Sequence, residues 1–268
     1  MTSLADLNTV DIVGGVLSIR ISTERGGNSL APDALVEGTE VLRAVAAGEL
    51  SVGAVLLLGP GANFCAGGDV RAFASAPDRP AFVADLAARF HAFIGALADA
   101  DVPVVAAVRG WAAGAGMSIV CHADVAIGGP GTSLRAAYSA IGFSPDGGMT
   151  WALPRLVGAA RARHIILTNK VVTAAEALEI GLLAQLVESD DDVVGAATAA
   201  ATAIAAGPRQ SLRATRRLLM ASDGATLTDQ MAAEAASISR LAGLPVGIEG
   251  VDAFVAKRPA DFTASNET

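Results

Sequence analysis

Apolar positions along the chain gather into short unbroken runs separated by amphipathic stretches. Residues 51–58, with Ala54-Val55-Leu56-Leu57-Leu58, and residues 102–108, with Val104-Val105-Ala106-Ala107-Val108, show little polar alternation, so each predicts a buried strand. Residues 16–21 alternate well enough for another strand, and residues 124–127 predict a short fourth. Between these runs Leu35, Thr39, Leu42 and Val45 recur at helical spacing across residues 32–47, with Pro32 placed for a first turn. Phe82, Leu86, Phe90, Phe93 and Leu97 do the same across residues 81–100. A shorter helix is expected over 115–121, and the polar residues 71–80 read as a surface loop. Strand and helix alternate, which signals an α/β core.

From Pro154 onward the balance shifts to helix. Thr173-Ala174-Ala175-Glu176 fits a capping box, and Gly181 fits a helix C-terminus. Residues 190–206 form an alanine-rich helical stretch that Gly207-Pro208 ends, and 210–220, 227–241 and 247–256 predict three further helices. The expected division is a core over residues 1–200 and a helical C-terminal region over 201–268.

Composition narrows the function classes. A chain of 268 residues, 52% hydrophobic and 17% charged, can bury a large core. A net charge of -8 argues against a general nucleic-acid binder. No unbroken apolar segment of about 18 residues is present, so no membrane span is expected. The first residues lack a basic segment followed by a hydrophobic run, and two cysteines make no disulfide framework or metal-ligand spacing. A cytoplasmic location and no metal site are the resulting expectations. Only Lys170 and Lys257 among the nineteen basic residues are lysines, so an anionic ligand must meet a few specific positions.

Two small-residue stretches follow buried strands: Phe64-Cys65-Ala66-Gly67-Gly68-Asp69-Val70, and Gly110-Trp111-Ala112-Ala113-Gly114-Ala115-Gly116. Small residues let main-chain N–H groups approach a ligand closely, and two such loops suggest two backbone donors converging on one oxygen. A dinucleotide-binding loop is excluded at the second stretch, because Ile119 stands where the third glycine belongs. His91 and His164 read as helix-surface residues and His122 as a structural histidine.

The loops carry a family resemblance. Phe64 to Asp69 resembles the F-C-A-G-x-D signature of the crotonase (enoyl-CoA hydratase/isomerase) superfamily, and Pro103 to Gly116 resembles that family's P-V-I-A-A-V-x-G-x-A-x-G-G-G. Thr173 to Leu182 and Phe254 to Pro259 are similar to its later landmarks, in the same order. The resemblance implies a spiral of ββα turns, a C-terminal helical trimerisation region, and a homotrimer or a hexamer of paired trimers. It implies an acyl-CoA thioester as substrate, with CoA as part of that substrate and no separate cofactor. The oxyanion donors carry over to the backbone N–H groups of Gly68 and Ala115, where the family usually has glycine at the second position. Arg25 and Lys257 match positions contacting CoA, and Ala66 and Val70 match main-chain contacts to its adenine and pantetheine.

The departures bear on the chemistry. The two glutamates that hydratases use to activate water fall on Ser118 and Tyr138, neither of which is a carboxylate base. Ser144-Pro145-Asp146-Gly147-Gly148 reads as a turn on its own. With Trp151, Leu153, Pro154, Arg155, Leu156, Val157 and Gly158 it resembles a stretch of crotonase-family isomerases, especially those of phenylacetyl-CoA ring-epoxide breakdown, where the aspartate does the chemistry. The resemblance thus assigns Asp146 as catalytic carboxylate, with Tyr138, Phe143 and Trp111 as candidate pocket walls. The expected activity is an acyl-CoA isomerisation through a thioester enolate, with water addition or silent acyl-CoA binding as alternatives.

Overall fold

A computed structural model describes residues 7–24 and 27–266. Gly14 and Gly15 turn strand β1 (Val10–Val13) into β2 (Val16–Arg20) as an antiparallel hairpin. Helix α1 (Pro32–Ala46) begins with its proline in the first turn and leads to β3 (Ala54–Leu58). The expected surface loop after β3 is in fact helical. Asp69 accepts from the N–H groups of Arg71 and Ala72 and starts α2 (Val70–Ser75), and Asp78 caps α3 (Arg79–Asp99).

Next come β4 (Val104–Val108), β5 (Trp111–Ala113), α4 (Ala115–Val120), β6 (Val125–Gly128) and β7 (Ser133–Arg135). A single 3-10 turn at Tyr138–Ile141 precedes α5 (Met149–Val157) and α6 (Ala159–Thr168). The chain continues through β8 (Val171–Thr173), α7 (Ala174–Glu179), β9 (Gln185–Leu186) and α8 (Val193–Ala206). It ends in α9 (Arg209–Ala221), α10 (Leu227–Ala242), α11 (Pro245–Val255) and the short α12 (Thr263–Asn266).

The main sheet runs β1-β2-β3-β4-β6-β9, parallel from β2 onward, and a small second sheet runs β5-β7-β8. Both faces of the main sheet are covered, which is why β3 and β4 read as continuous apolar runs. On one face α1 and α3 bury Leu35, Leu42, Phe90, Phe93 and Leu97. On the other, the alanine stripe Ala197, Ala201 and Ala205 of α8 lies against Ala54, Leu56, Val105 and Ala107. Small side chains there bring helix and sheet backbones close together. Helix α8 passes residue 200 unbroken, and the chain turns away only after Gly207.

Helix α3 is long and apolar enough to cross a membrane by length and composition alone, though Asp85 and Arg89 interrupt its apolar run. In this fold its C-terminal half is core, with Phe93 seated against Gly38 of α1. At α7 only half of the capping box forms: Thr173 accepts from the Glu176 N–H, while the Glu176 carboxylate instead takes Lys170 Nζ at 2.5 Å.

Candidate active site

Two loops some fifty residues apart are fastened by backbone hydrogen bonds. Cys65 N–H donates to Trp111 O and Ala113 N–H to Cys65 O, so the segment after β3 pairs with β5 like a short parallel ladder. The ladder carries Gly67 and Gly114 into contact, a Cβ on Gly114 lying 3.5 Å from the Gly67 Cα. Gly114 has φ 54° and ψ -122°, a region closed to other residues, and this conformation turns the chain directly into α4. Gly68 and Ala115 are the next residue on each loop, and both line the same cavity. Neither N–H has a protein acceptor among the described residues. Two backbone donors with no partner among the described residues thus stand at the wall of one cavity.

That cavity encloses about 760 Å³. Its walls include Ala66, Val70, Tyr138, Phe143 and Asp146, all but Phe143 already singled out as site residues by resemblance. Val83 and Leu86 come from the N-terminal half of α3 and Phe90 from its middle, where the apolar spacing suggests only core packing. Phe73 of α2 stacks on Phe143 with centroids 6.1 Å apart and meets Phe82 edge-on. Its ring tip lies 2.5 Å from where a Cβ on Gly68 would be, so glycine is the residue that fits beneath it. Periodicity could not have found Phe73, because the segment carrying it was read as a loop.

Asp146 is half-buried at the cavity wall, with Oδ1 accepting from the Tyr138 hydroxyl at 2.6 Å. Ser118 is fully buried on α4, with Oγ 3.0 Å from both the Tyr138 hydroxyl and the Asp146 carbonyl oxygen. With the Tyr138 proton committed to the carboxylate, the single Ser118 proton goes to the Tyr138 oxygen, the Asp146 carbonyl or the more distant Gly114 carbonyl at 3.4 Å. Burial first, and then the charge of Asp146, push the Tyr138 phenol well above its ordinary range. It stays protonated and acts as a donor. The two positions that lack glutamate are thus joined to the aspartate in one hydrogen-bonded group.

The remaining assignments divide. Ser118 does not line the cavity itself and reaches it through Tyr138 and Asp146. Trp111 sits on β5 outside the cavity, so its expected place on the wall is wrong; its edge strand turns the ring elsewhere, 40% exposed. Lys257 lies exposed just beyond α11, outside the lining of this cavity. Arg25 falls outside the described residues. Cys65 and Cys121 are buried, and burial raises both thiols to about 12, so neither is a nucleophile.

The model of the family "Enoyl-CoA hydratase/isomerase" matches residues 11–265. The chain belongs to this family. It is 31% identical over 252 residues to the 1,2-epoxyphenylacetyl-CoA isomerase of Escherichia coli (strain K12), covering 93% of this chain and 95% of that one. It is 36% identical over 210 residues to a Rhodobacter capsulatus protein called "Probable enoyl-CoA hydratase", covering 78% and 80%. Among solved structures, an enoyl-CoA hydratase from Polaromonas sp. JS666 superposes with a TM-score of 0.87 at 29% identity, covering 94% of this chain and 98% of that one. The fold is therefore the crotonase fold, and the activity is of the enoyl-CoA hydratase/isomerase kind. Relatives bearing isomerase and hydratase names both fall within this similarity.

Proposed function

We propose that this enoyl-CoA hydratase/isomerase family member is an acyl-CoA isomerase in which Asp146 moves a proton between carbons of the acyl chain. The observation that carries the proposal is the Tyr138–Asp146 hydrogen bond inside the cavity lined by Gly68 and Ala115. With a 3-enoyl-CoA, the thioester oxygen sits between the two backbone N–H groups. The Asp146 carboxylate removes a proton from the α-carbon, and the electron pair passes through the chain to the oxygen. The resulting dienolate oxygen is held by Gly68 and Ala115, and the same carboxyl returns the proton at the γ-carbon to give the 2-enoyl-CoA. Two preorganised donors serve this step because charge appears on the oxygen only as the proton leaves, and one such donor contributes about 3–4 kcal/mol. The same enolate logic extends to rearrangement of a ring-epoxide acyl-CoA.

Water addition needs a group to hold and activate water, and Ser118 and Tyr138 are a hydroxyl and a protonated phenol. Incubating the protein with 2-enoyl-, 3-enoyl- and ring-epoxide acyl-CoAs in deuterated water tests the assignment. Isomerisation to the 2-enoyl-CoA is expected, with deuterium entering the α- or γ-carbon as far as the Asp146 proton exchanges with solvent; 3-hydroxyacyl-CoA as the main product, or no isomerisation, would overturn it.

The assembly we propose is a homotrimer, free or paired into a hexamer, formed through the C-terminal helices. Helix α10 buries none of its residues within the chain, and Leu227, Ile238 and Phe254 are 75%, 71% and 83% exposed. We also assign Arg25 to the nucleotide end of CoA and Lys257 to a CoA contact reaching across from the C-terminal region.

A further inference from the structure

The turn that carries Asp146 is gripped from two sides by histidines that neither line the acyl-CoA cavity nor contact the carboxylate. Gly147 N–H donates to His91 Nε2 at 3.2 Å, and His122 Nε2 lies 2.8 Å from Gly147 O. His91 comes from α3 and His122 from the turn after α4, so one glycine is tied to two separate elements of the core. We infer that His91 and His122 are positioning residues for Asp146, fixing the backbone on which the catalytic carboxylate is carried.

Elementary hydrogen-bond chemistry sets their states. A carbonyl oxygen only accepts, so His122 must carry its proton on Nε2. An amide N–H only donates, so His91 must leave Nε2 unprotonated and keep its proton on Nδ1. The two rings are held in opposite tautomers by one residue. Burial, with the charge of Arg216 adding to it, lowers the His122 pKa despite the Gly147 carbonyl, so the neutral donor is the form present at neutral pH.

The backbone around these bonds has little room to move. Gly147 has φ 59° and Gly148 has φ 74°. A Cβ on Gly147 would run into the Phe90 ring, and one on Gly148 would lie 2.9 Å from His122 Nε2. The carbonyl of Asp146, in the same peptide group as the Gly147 N–H, is met by Ser118 Oγ at 3.0 Å and by the Met149 N–H at 3.3 Å. The peptide that follows Asp146 is therefore held at its oxygen and at its nitrogen, and the next carbonyl is held by His122. A proton-transfer group needs its position fixed to a fraction of an ångström, and a displacement of about 1 Å can cost 100-fold in rate. A two-glycine turn would not hold that position unaided.

The inference rests on Asp146 being the proton-transfer group, so the test includes Asp146→Asn. Each histidine is replaced by leucine, which removes the polar contact, and by glutamine, which keeps an Nε2 donor or an Oε1 acceptor at similar reach. Turnover of 3-hexenoyl-CoA and 1,2-epoxyphenylacetyl-CoA is measured beside phenylacetyl-CoA binding by calorimetry. Expected are a fall in kcat of about 10- to 100-fold for His91→Leu and His122→Leu, KM and phenylacetyl-CoA affinity within about twofold, and recovery of most of the rate in the glutamine variants. Leucine variants with wild-type kcat, or glutamine variants no better than leucine ones, would overturn the positioning role. His91 is exposed, so its variants report even if His122→Leu fails to fold. If Asp146→Asn keeps full turnover, the assignment of Asp146 falls first and the positioning role with it; if it is inactive while the histidine variants match wild type, only the latter falls.

Discussion

The Tyr138 hydroxyl donates to Asp146 Oδ1 across 2.6 Å, joining the 3-10 turn at Tyr138–Ile141 to the turn before α5. The bond holds one carboxylate oxygen, and Oδ2 has no protein partner among the described residues. Tyr138→Phe removes this donor together with the Ser118 contact to the same hydroxyl. A hydrogen bond to a charged group contributes about 1.5–3 kcal/mol, so kcat for enoyl-CoA isomerisation should fall by about 10- to 100-fold. Steady-state kinetics on purified variant and wild type decide it; an unchanged kcat would remove Tyr138 from the mechanism.

The proposed oxyanion pair depends on a glycine whose own atoms do no chemistry. Gly114→Ala forces a side chain into φ 54°, ψ -122°, where strain of about 1–3 kcal/mol is expected. Relief of that strain would rotate the Ala115 N–H away from the cavity. A loss of about 100-fold or more in kcat is expected, with a melting temperature only modestly lower. Wild-type kinetics in this variant would argue against Ala115 as a donor.

The C-terminal helices are joined to the core through charge. Arg216 of α9 is 5% exposed and donates to Asp124 Oδ2 at 2.8 Å and to Ala98 O at 3.0 Å. Asp124 Oδ2 also accepts from the Val104 N–H at 2.7 Å, at the start of β4. Arg216 is buried while the Asp124 side chain is 30% exposed, so losing these charge-assisted hydrogen bonds in Arg216→Ala should cost about 1.5–3 kcal/mol in urea unfolding. A change below about 1 kcal/mol would show that the pair is dispensable.

His122 makes stability depend on pH. Its folded pKa is lowered from 6.5, chiefly by burial. Below pH 6.5 the unfolded chain binds a proton that the folded chain resists, so stability falls as pH drops. The contribution is flat above about pH 7. Thermal melts should show this acid-side slope lessened in His122→Gln, and identical slopes in both proteins would contradict it.

Legibility in the sequence followed the range of each interaction. The strands β3 and β4 and helices α8 to α11 were readable because burial on two faces and helical periodicity leave local patterns. The strands β5, β7 and β8 have three residues each, too short to leave a period, and the six residues of α2 leave no helical period while its cap Asp69 reads as part of the small-residue motif. Gly68, Ala115 and Asp146 were reached through motifs, and their convergence required the pairing of Cys65 with Ala112. His91 was correctly placed on a helix surface, yet its bond to Gly147, 56 residues away, has no sequence signal. Trp111 misled because an aromatic beside a motif does not say which side of a strand it takes.

The most direct measurement of the central claim is deuterium incorporation into 3-hexenoyl-CoA in deuterated water, compared between wild type and Asp146→Asn by mass spectrometry. Wild type should convert it to the 2-enoyl isomer with deuterium entering the α- or γ-carbon. Asp146→Asn should bind the same acyl-CoA with unchanged affinity and incorporate none. Exchange and isomerisation at the wild-type rate in Asp146→Asn would contradict the claim that this carboxylate carries the proton.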